Sequence, residues 1–152
     1  MRASDGFNHK DLNGISGWLI LPTIATFLMP IVALKDYVEV AIEYSKHPVW
    51  TAPMYTLFSV ITAAIAVQLG AQAYAIYCWF KRSANYPLAY IAAGLSVVLT
   101  WAMVNGVLLP AYGVSAFSDP QIVGELVRNM AFLIIWVPYM LISKRVRATF
   151  TR

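Results

Sequence analysis

Residues 52–80 read APMYTLFSVITAAIAVQLGAQAYAIYCWF, a run without a single charged side chain. A helix rises about 1.5 Å per residue, so a run of this length is sufficient to cross a hydrocarbon core of about 30 Å. Three more apolar runs occur along the chain. The four predicted spans cover residues 15–34, 52–80, 86–109 and 120–143. We therefore predict an all-α membrane protein, with residues 1–152 forming one four-transmembrane-helix bundle.

Composition supports lipid as the surrounding solvent. The chain has 152 residues, of which 60% are hydrophobic and 12% charged, whereas soluble domains are about 45–50% apolar and about 25% charged. The net charge of +4 comes from basic residues that flank the apolar runs and form no single patch. This distribution indicates the lipid bilayer as a partner and excludes nucleic acid as an expected one.

The first span has a competing interpretation as a cleavable signal peptide. Its apolar run is longer than a typical signal-peptide core, and residues 33–36 (ALKD) do not form a small-x-small cleavage site. Pro22 and Pro30 lie inside it, and neighbouring helices can satisfy the carbonyls that these prolines leave free. We therefore expect a retained helix.

Lysine and arginine fall mainly on alternate links, which predicts the orientation. One side carries Arg2, Lys10, Lys81, Arg82, Lys144, Arg145, Arg147 and Arg152, and the other carries Lys35, Lys46 and Arg128. Cytoplasmic links carry the excess of Lys and Arg. Both termini are therefore expected in the cytoplasm.

The link after the first span has an amphipathic pattern. Tyr37, Val40, Ala41 and Tyr44 recur at helical spacing, while the opposite face carries Asp36, Glu39, Glu43 and Lys46. The pattern predicts either a short helix on the outer surface or an extension of the first span. The pair at 47–48, His-Pro, should end it, since the residue before proline avoids the α region.

Polar residues at membrane depth are the usual pointers to function. In the fourth span such residues share one sector: Gln121, Glu125, Arg128 and Asn129. Glu125 and Arg128 are three residues apart and can pair, and Arg128 can also snorkel to the interface. A role in contacting a substrate or ion is the sharper alternative. Asn105, in the third span, can join this polar cluster.

The second span combines two different faces. Gln68 and Gln72 lie four residues apart near mid-depth, where side-chain amides often bond between helices; a polar pathway is the alternative. The other face carries small residues that permit close helix packing: Ser59, Thr62, Ala66, Gly70 and Ala73. Gly14 and Gly17 permit a similar approach where the first helix begins. The second helix should therefore lie centrally, or offer one face to a second copy or another subunit.

We find no motif for catalysis or for a cofactor. The two histidines, His9 and His47, are predicted on opposite sides of the membrane, and no Asp lies within a span. P-loop, H-E-x-x-H and G-x-G-x-x-G motifs do not occur. Cys78 is the lone cysteine and is interpreted as inert. We therefore expect a protein that is not an enzyme and needs no metal or cofactor.

Both ends of the chain resemble a known family. Residues 14–22 (GISGWLILP) and 136–150 (WVPYMLISKRVRATF) are similar to the two signatures of a bacterial inner-membrane family catalogued as domain of unknown function 2569. The resemblance implies a multi-pass protein of the bacterial inner membrane with four helices, and no activity or ligand. The basic tail residues Lys144, Arg145 and Arg147 suit anionic headgroups, whereas Thr149 and Phe150 also suggest a protein-docking role.

The function favoured by these patterns is non-catalytic. We expect an accessory subunit or oligomeric scaffold that acts through helix–helix contacts with other membrane-protein subunits or with itself. A small oligomeric transporter or channel is the alternative, with a route lined by Gln68, Gln72, Asn105, Glu125 and Arg128. An immunity protein against a pore-forming toxin is a further alternative, supported by size and span number alone.

Overall fold

The computed structural model describes residues 17–49, 51–111 and 120–151 of the chain. Its helices are α1 (Ile20–Ser45), α2 (Ala52–Phe80), α3 (Tyr86–Met103), α4 (Pro120–Ile142) and α5 (Lys144–Thr149). Within these described ranges, four helical segments are long and apolar enough to cross a membrane: Gly17–Ser45, Ala52–Phe80, Tyr86–Ala111 and Pro120–Ile142. The prediction of an all-α, multi-pass membrane protein is thereby confirmed.

The helix bounds differ from the predicted spans mainly at the ends. Helix α2 has the predicted bounds, and α3 runs on through a π-helical segment (Val104–Leu108) into a last α-helical turn (Leu109–Ala111). Helix α4 begins at Pro120, the predicted first helical residue. Its predicted N-cap, Asp119, lies outside the described residues.

The amphipathic segment after the first span extends α1 and does not form a separate surface helix. Tyr37 and Tyr44 pack on the ring of Phe58 in α2, with centroid distances of 6.3 and 5.0 Å. The Tyr37 hydroxyl also lies 3.3 Å from Oγ1 of Thr62. These contacts hold the extension along α2, so it continues the helix axis. The helix ends at Ser45, two residues before His47-Pro48, as the sequence predicts.

Helices that are consecutive in the chain are also neighbours in space: α1 packs on α2, α2 on α3 and α3 on α4. Over the described residues, α1 and α4 barely touch. The two ends of the bundle differ in charge. The end that we call the basic end carries Lys81, Arg82, Lys144, Arg145 and Arg147, and the end that we call the acidic end carries Asp36, Glu39, Glu43 and Glu125.

The basic end contains the hydrophobic core. Ten buried side chains form one cluster there: Leu19, Ala75, Cys78, Tyr86, Ala89, Tyr90, Ala93, Met140, Val146 and Phe150. Tyr86 is central, because its ring stacks on Phe150 at 4.2 Å and its hydroxyl lies 2.7 Å from Oγ1 of Thr26. Since the Thr26 hydroxyl donates its single hydrogen to the Pro22 carbonyl (2.8 Å), Tyr86 donates to Thr26. This hydrogen bond joins α1 to α3.

Helix α5 closes the basic end and was not predicted. The Ser143 hydroxyl accepts from the backbone N–H of Val146 at 3.4 Å and so caps the helix. Val146, Thr149 and Phe150 are buried, which directs one face of α5 into the bundle. The sequence does contain a signal for α5, because Ser143 is followed at helical spacing by Val146, Thr149 and Phe150.

Candidate functional site

A cavity of about 550 Å³ lies between all four membrane-spanning helices, in the half of the bundle toward the acidic end. Its floor is near Gly94, where α3 and α4 approach so closely that a Cβ on Gly94 would lie 2.8 Å from Cδ2 of Leu133. Protein interiors rarely leave voids of this size, and ligand pockets typically measure about 300–1,000 Å³. The cavity is therefore the leading candidate for a functional site.

Part of the cavity wall carries small or short side chains, although Trp101 and Phe132 also line it. Ala25 and Ala33 of α1 and Val97 of α3 line it, whereas the core at the other end is filled by Tyr86 and Tyr90. Helix α1 and helix α4 do not pack closely enough to remove the remaining space.

Among the described residues, seven polar side chains from all four helices line the cavity: Asp36, Gln68, Thr100, Asn105, Glu125, Arg128 and Asn129. Five of these are residues that the sequence singles out, and the fold brings them together. Asp36 was assigned to the polar face of the α1 extension and not to this site. Its position three to four residues beyond the lining residues Val32 and Ala33 is the signal that could have placed it here.

Glu125 and Arg128 do not pair. Both side chains line the cavity, and within the described ranges no ion pair joins either of them to an oppositely charged group. The predicted pairing is not formed because both residues are exposed, and a hydrated pair at this spacing gains only about 0.2–0.5 kcal/mol. Among the described residues, neither charge is therefore held in an ion pair.

The mouth of the cavity contains the π-helical segment of α3. Val104 and Asn105 line the cavity from this segment, and Nδ2 of Asn105 donates to the Trp101 carbonyl at 3.2 Å. Single π-helical turns inside α-helices are frequently found at functional sites. The pair Asn105-Gly106, two weak helix formers in an apolar run, is the only hint of this segment in the sequence.

Two predicted polar residues lie elsewhere. Gln121 is exposed in the first turn of α4 and does not line the cavity. Gln72 is only 2% exposed, one turn from Gln68 toward the basic end, and neither its Nε2 nor its Oε1 has a hydrogen-bond partner among the described residues. No interhelical hydrogen bond through Gln72 is therefore present in this part of the chain.

Most of the face of α2 with small residues is not covered by the described part of the chain. Thr62 is half-buried and bonds to Tyr37, but Ala66, Gly70 and Ala73 are exposed. A Cβ added to Gly70 would meet nothing within 4 Å. The sequence predicted either a central position for α2 or an interface with a second copy or another subunit. Because this face is exposed, the central position is wrong. The interface stays a prediction.

The tail residues have two different environments. Thr149 and Phe150 are buried, so neither side chain is on the surface for the predicted docking role. Lys144 and Arg147 are exposed, and Nη2 of Arg147 donates to the Leu141 carbonyl at 2.9 Å.

Gly17 and Arg145 meet at the basic end. Gly17 has a φ of +60°, which disfavours any residue with a side chain, and a Cβ there would lie 2.8 Å from Nη1 of Arg145. Gly14, the other predicted packing glycine of this segment, lies outside the described residues. The first and last described segments of the chain are therefore in direct proximity.

A family profile described as a protein of unknown function, DUF2569, matches residues 12–151, which is nearly the whole chain. The chain belongs to the DUF2569 family. The two terminal runs that resemble this family are the ones that meet at the basic end, through Gly17 and Arg145 and through the shared burial of Leu19 and Val146. No curated protein and no solved structure matches this DUF2569 chain.

Proposed function

We propose that this protein is a non-catalytic membrane protein that binds a small ligand in the cavity at the acidic end. The observation that carries the proposal is the convergence of seven polar side chains from four helices on one cavity of about 550 Å³. A pocket that is largely apolar with a few convergent polar groups is the usual form of a ligand site. The packed basic end supplies the rigid support that such a site needs.

The test fills the cavity with a larger side chain and compares this variant with one that carries the same substitution outside the cavity. Val97 lines the cavity, whereas Leu95, on the same helix, is exposed to the surroundings. Protein extracted gently from its own membrane should retain a small molecule of fixed mass in native mass spectrometry. Val97→Phe should lose that molecule and Leu95→Phe should keep it. Wild-type protein that carries no small molecule, or a Val97→Phe variant that keeps it, would contradict the proposal.

A second candidate function is the accessory subunit or oligomeric scaffold that the sequence favours. The exposed small-residue face of α2, with Ala66, Gly70 and Ala73, supports it, because small residues let membrane helices approach closely. Native mass measurement after gentle extraction tests this role. A strictly monomeric particle without a partner subunit would count against it, and Gly70→Ile should dissociate a dimer if one forms.

Transport is the alternative that the cavity itself suggests. A single chain forms the cavity, so oligomerisation is not needed to create it, but the packed core between the cavity and the basic end blocks a continuous path. A transporter would have to open that core. Absence of solute flux into liposomes that contain the purified protein would remove this alternative while leaving ligand binding intact.

We further propose that the protein is in the bacterial inner membrane, with its basic end in the cytoplasm and its cavity toward the periplasm. The excess of Lys and Arg on the predicted cytoplasmic links supports this orientation. A reporter that is active only in the cytoplasm should therefore be active when it is fused to the carboxyl end. Activity confined to the periplasm would reverse the orientation.

A further inference from the structure

We infer that the ligand of the cavity is an amphiphile with a zwitterionic head, in which an ammonium group and a phosphate group are close together, and with an apolar chain. This inference rests on the proposed function, because it names the class of molecule that the same cavity would take. It is carried by the signs of the charges at the mouth, by the apolar wall below them and by the open side of the bundle.

The mouth presents both signs of charge to one molecule. Arg128 supplies a guanidinium group, which matches the oxygens of a phosphate, and Asp36 and Glu125 supply carboxylates, which accept hydrogen bonds from an ammonium group. Within the described ranges neither Glu125 nor Arg128 has an ion-pair partner. Asp36 has a long contact with Lys35, at 3.7 Å, and Lys35 is itself engaged by Glu39 at 2.8 Å.

The balance of these charges disfavours a purely anionic ligand. Among the described lining residues, two carboxylates and one guanidinium give a net negative charge, so a head with only a phosphate would be repelled by the carboxylates while it binds Arg128. A head that adds an ammonium group satisfies both signs. The amides of Asn105 and Asn129, which also line the cavity, can donate to or accept from either group.

The wall below the mouth fits a hydrocarbon chain. Leu28, Met29, Ile65 and Phe132 line this part of the cavity, and Gln68 is its deepest amide. A soluble polar ligand would leave these apolar surfaces in contact with water, whereas an acyl chain removes them from it. The polar mouth and the apolar depth together match a molecule with a head and a tail.

The cavity is accessible from the lipid phase between α1 and α4, which barely touch over the described residues. Leu28 and Val32 of α1 line the cavity and yet are 53% and 45% exposed. Both side chains are therefore only partly covered by neighbouring helices, and the gap between α1 and α4 is the opening from the cavity to the bilayer. An amphiphile can therefore enter sideways from the bilayer with its head at the level of the mouth.

The experiment compares three lipids with identical acyl chains: phosphatidylethanolamine, which is zwitterionic with an ammonium group, phosphatidylglycerol, which is anionic, and diacylglycerol, which has no charge. Each is added to delipidated protein in detergent, and native mass spectrometry measures the bound fraction. Phosphatidylethanolamine should bind at least tenfold more tightly than either of the others.

Two variants at the mouth separate recognition of the two charges. Arg128→Gln should weaken binding of both phosphate-containing lipids about tenfold, while Glu125→Gln should weaken phosphatidylethanolamine and strengthen phosphatidylglycerol, so that their ratio shifts about tenfold. Charge-matched controls outside the cavity, Arg82→Gln and Glu43→Gln, should change neither the affinity for either lipid nor the ratio of the two affinities. A merely structural role for Glu125 would not change the affinities for the two lipids in opposite directions.

The outcomes distinguish this inference from the proposed function. Equal binding of all three lipids, with loss of binding in Val97→Phe, would overturn the zwitterionic head and keep the ligand site. If none of the three lipids bound, but Val97→Phe still lost a native small molecule, the zwitterionic head would again be overturned and the ligand site kept. Displacement of the lipid by an equal concentration of free phosphoethanolamine would overturn the role of the chain. Failure of both the lipids and the native molecule to bind would overturn the proposed function as well.

Discussion

The two ends of this bundle are built from similarly apolar helices and yet differ in how they are filled. At the basic end, α5 folds back so that Phe150 stacks on Tyr86, and the Tyr86 hydroxyl bonds to Thr26. At the acidic end, the same helices enclose a cavity of about 550 Å³ with a charged mouth. In a bilayer, where apolar surface gains little by leaving lipid, close packing and hydrogen bonds decide where helices associate. The packed end therefore stabilises the bundle, and the open end leaves room for the proposed ligand.

The largest effect is expected from Phe150→Ala. The ring is 4% exposed and stacks on Tyr86 at 4.2 Å, so its removal should lower the free energy of unfolding by about 3–5 kcal/mol. Thermal unfolding in one detergent, followed by circular dichroism, measures the loss. Phe80→Ala, at a ring that is 68% exposed, is the control and should cost less than about 1 kcal/mol. Equal losses would show that the basic end does not depend on α5.

The comparison is sharpened by adding bulk at each end of α3. Ala93 is buried in the core of the basic end, and Val97, one turn further along, lines the cavity. Ala93→Phe should overpack the core and destabilise by about 3 kcal/mol, the upper part of the usual range. Val97→Phe should cost less than about 1 kcal/mol, because the ring enters existing space. Chemical denaturation of both variants tests this, and equal losses would contradict the difference in packing.

A smaller loss is expected from Thr26→Val, which removes the acceptor of the Tyr86 hydroxyl. Leaving a buried hydroxyl without a partner costs about 1–3 kcal/mol. Thr23→Val is the matched control, since the Thr23 hydroxyl donates only to the Leu19 carbonyl of the same chain segment at 2.9 Å. Differential scanning fluorimetry should show a lower melting temperature for Thr26→Val alone, and Thr26→Ser should restore it. A drop in Thr23→Val of the same size would argue against a special bond to Tyr86.

The smallest effect is expected from Gly17→Ala. The φ of +60° at this position costs a residue with a Cβ about 1–2 kcal/mol, whereas the crowding against Arg145 Nη1 can be relieved by a small shift of a flexible side chain. Gly124→Ala in α4, where a Cβ would meet nothing within 4 Å, should be neutral or stabilising by up to about 1 kcal/mol. Unfolding in guanidinium measures both. A neutral Gly17→Ala would show that the start of α1 relaxes freely.

Several features of the fold could be predicted because each depends on the residues of a single segment. The absence of charge in residues 52–80 predicts α2 with its bounds, and the spacing of Tyr37 and Tyr44 predicts the helical extension of α1. Whether that extension would stand apart or continue α1 depended on its contacts with Phe58, which no pattern within the segment reports.

The candidate site could be predicted in part. Gln68, Asn105, Glu125, Arg128 and Asn129 were identified because polar residues in apolar spans are rare, and they share one cavity. Gln72 has the same residue type and the same face of α2 as Gln68, but it lies below the cavity floor without a partner among the described residues. The depth at which α3 and α4 converge, at Gly94 and Leu133, separates the two glutamines, and that depth depends on two helices at once.

The sequence by itself determined the solvent, the helical class and the positions of the spans, because the transfer of each segment into lipid is a property of that segment alone. Only the tertiary structure decided that α1 and α4 stay apart, that the first and last described segments meet around Leu19 and Val146, and that charges from two helices share one mouth. The reason is that lipid-facing and core-facing surfaces are both apolar here, so hydrophobic periodicity does not distinguish them. Which faces meet is settled by shape and hydrogen bonding between segments far apart in the chain.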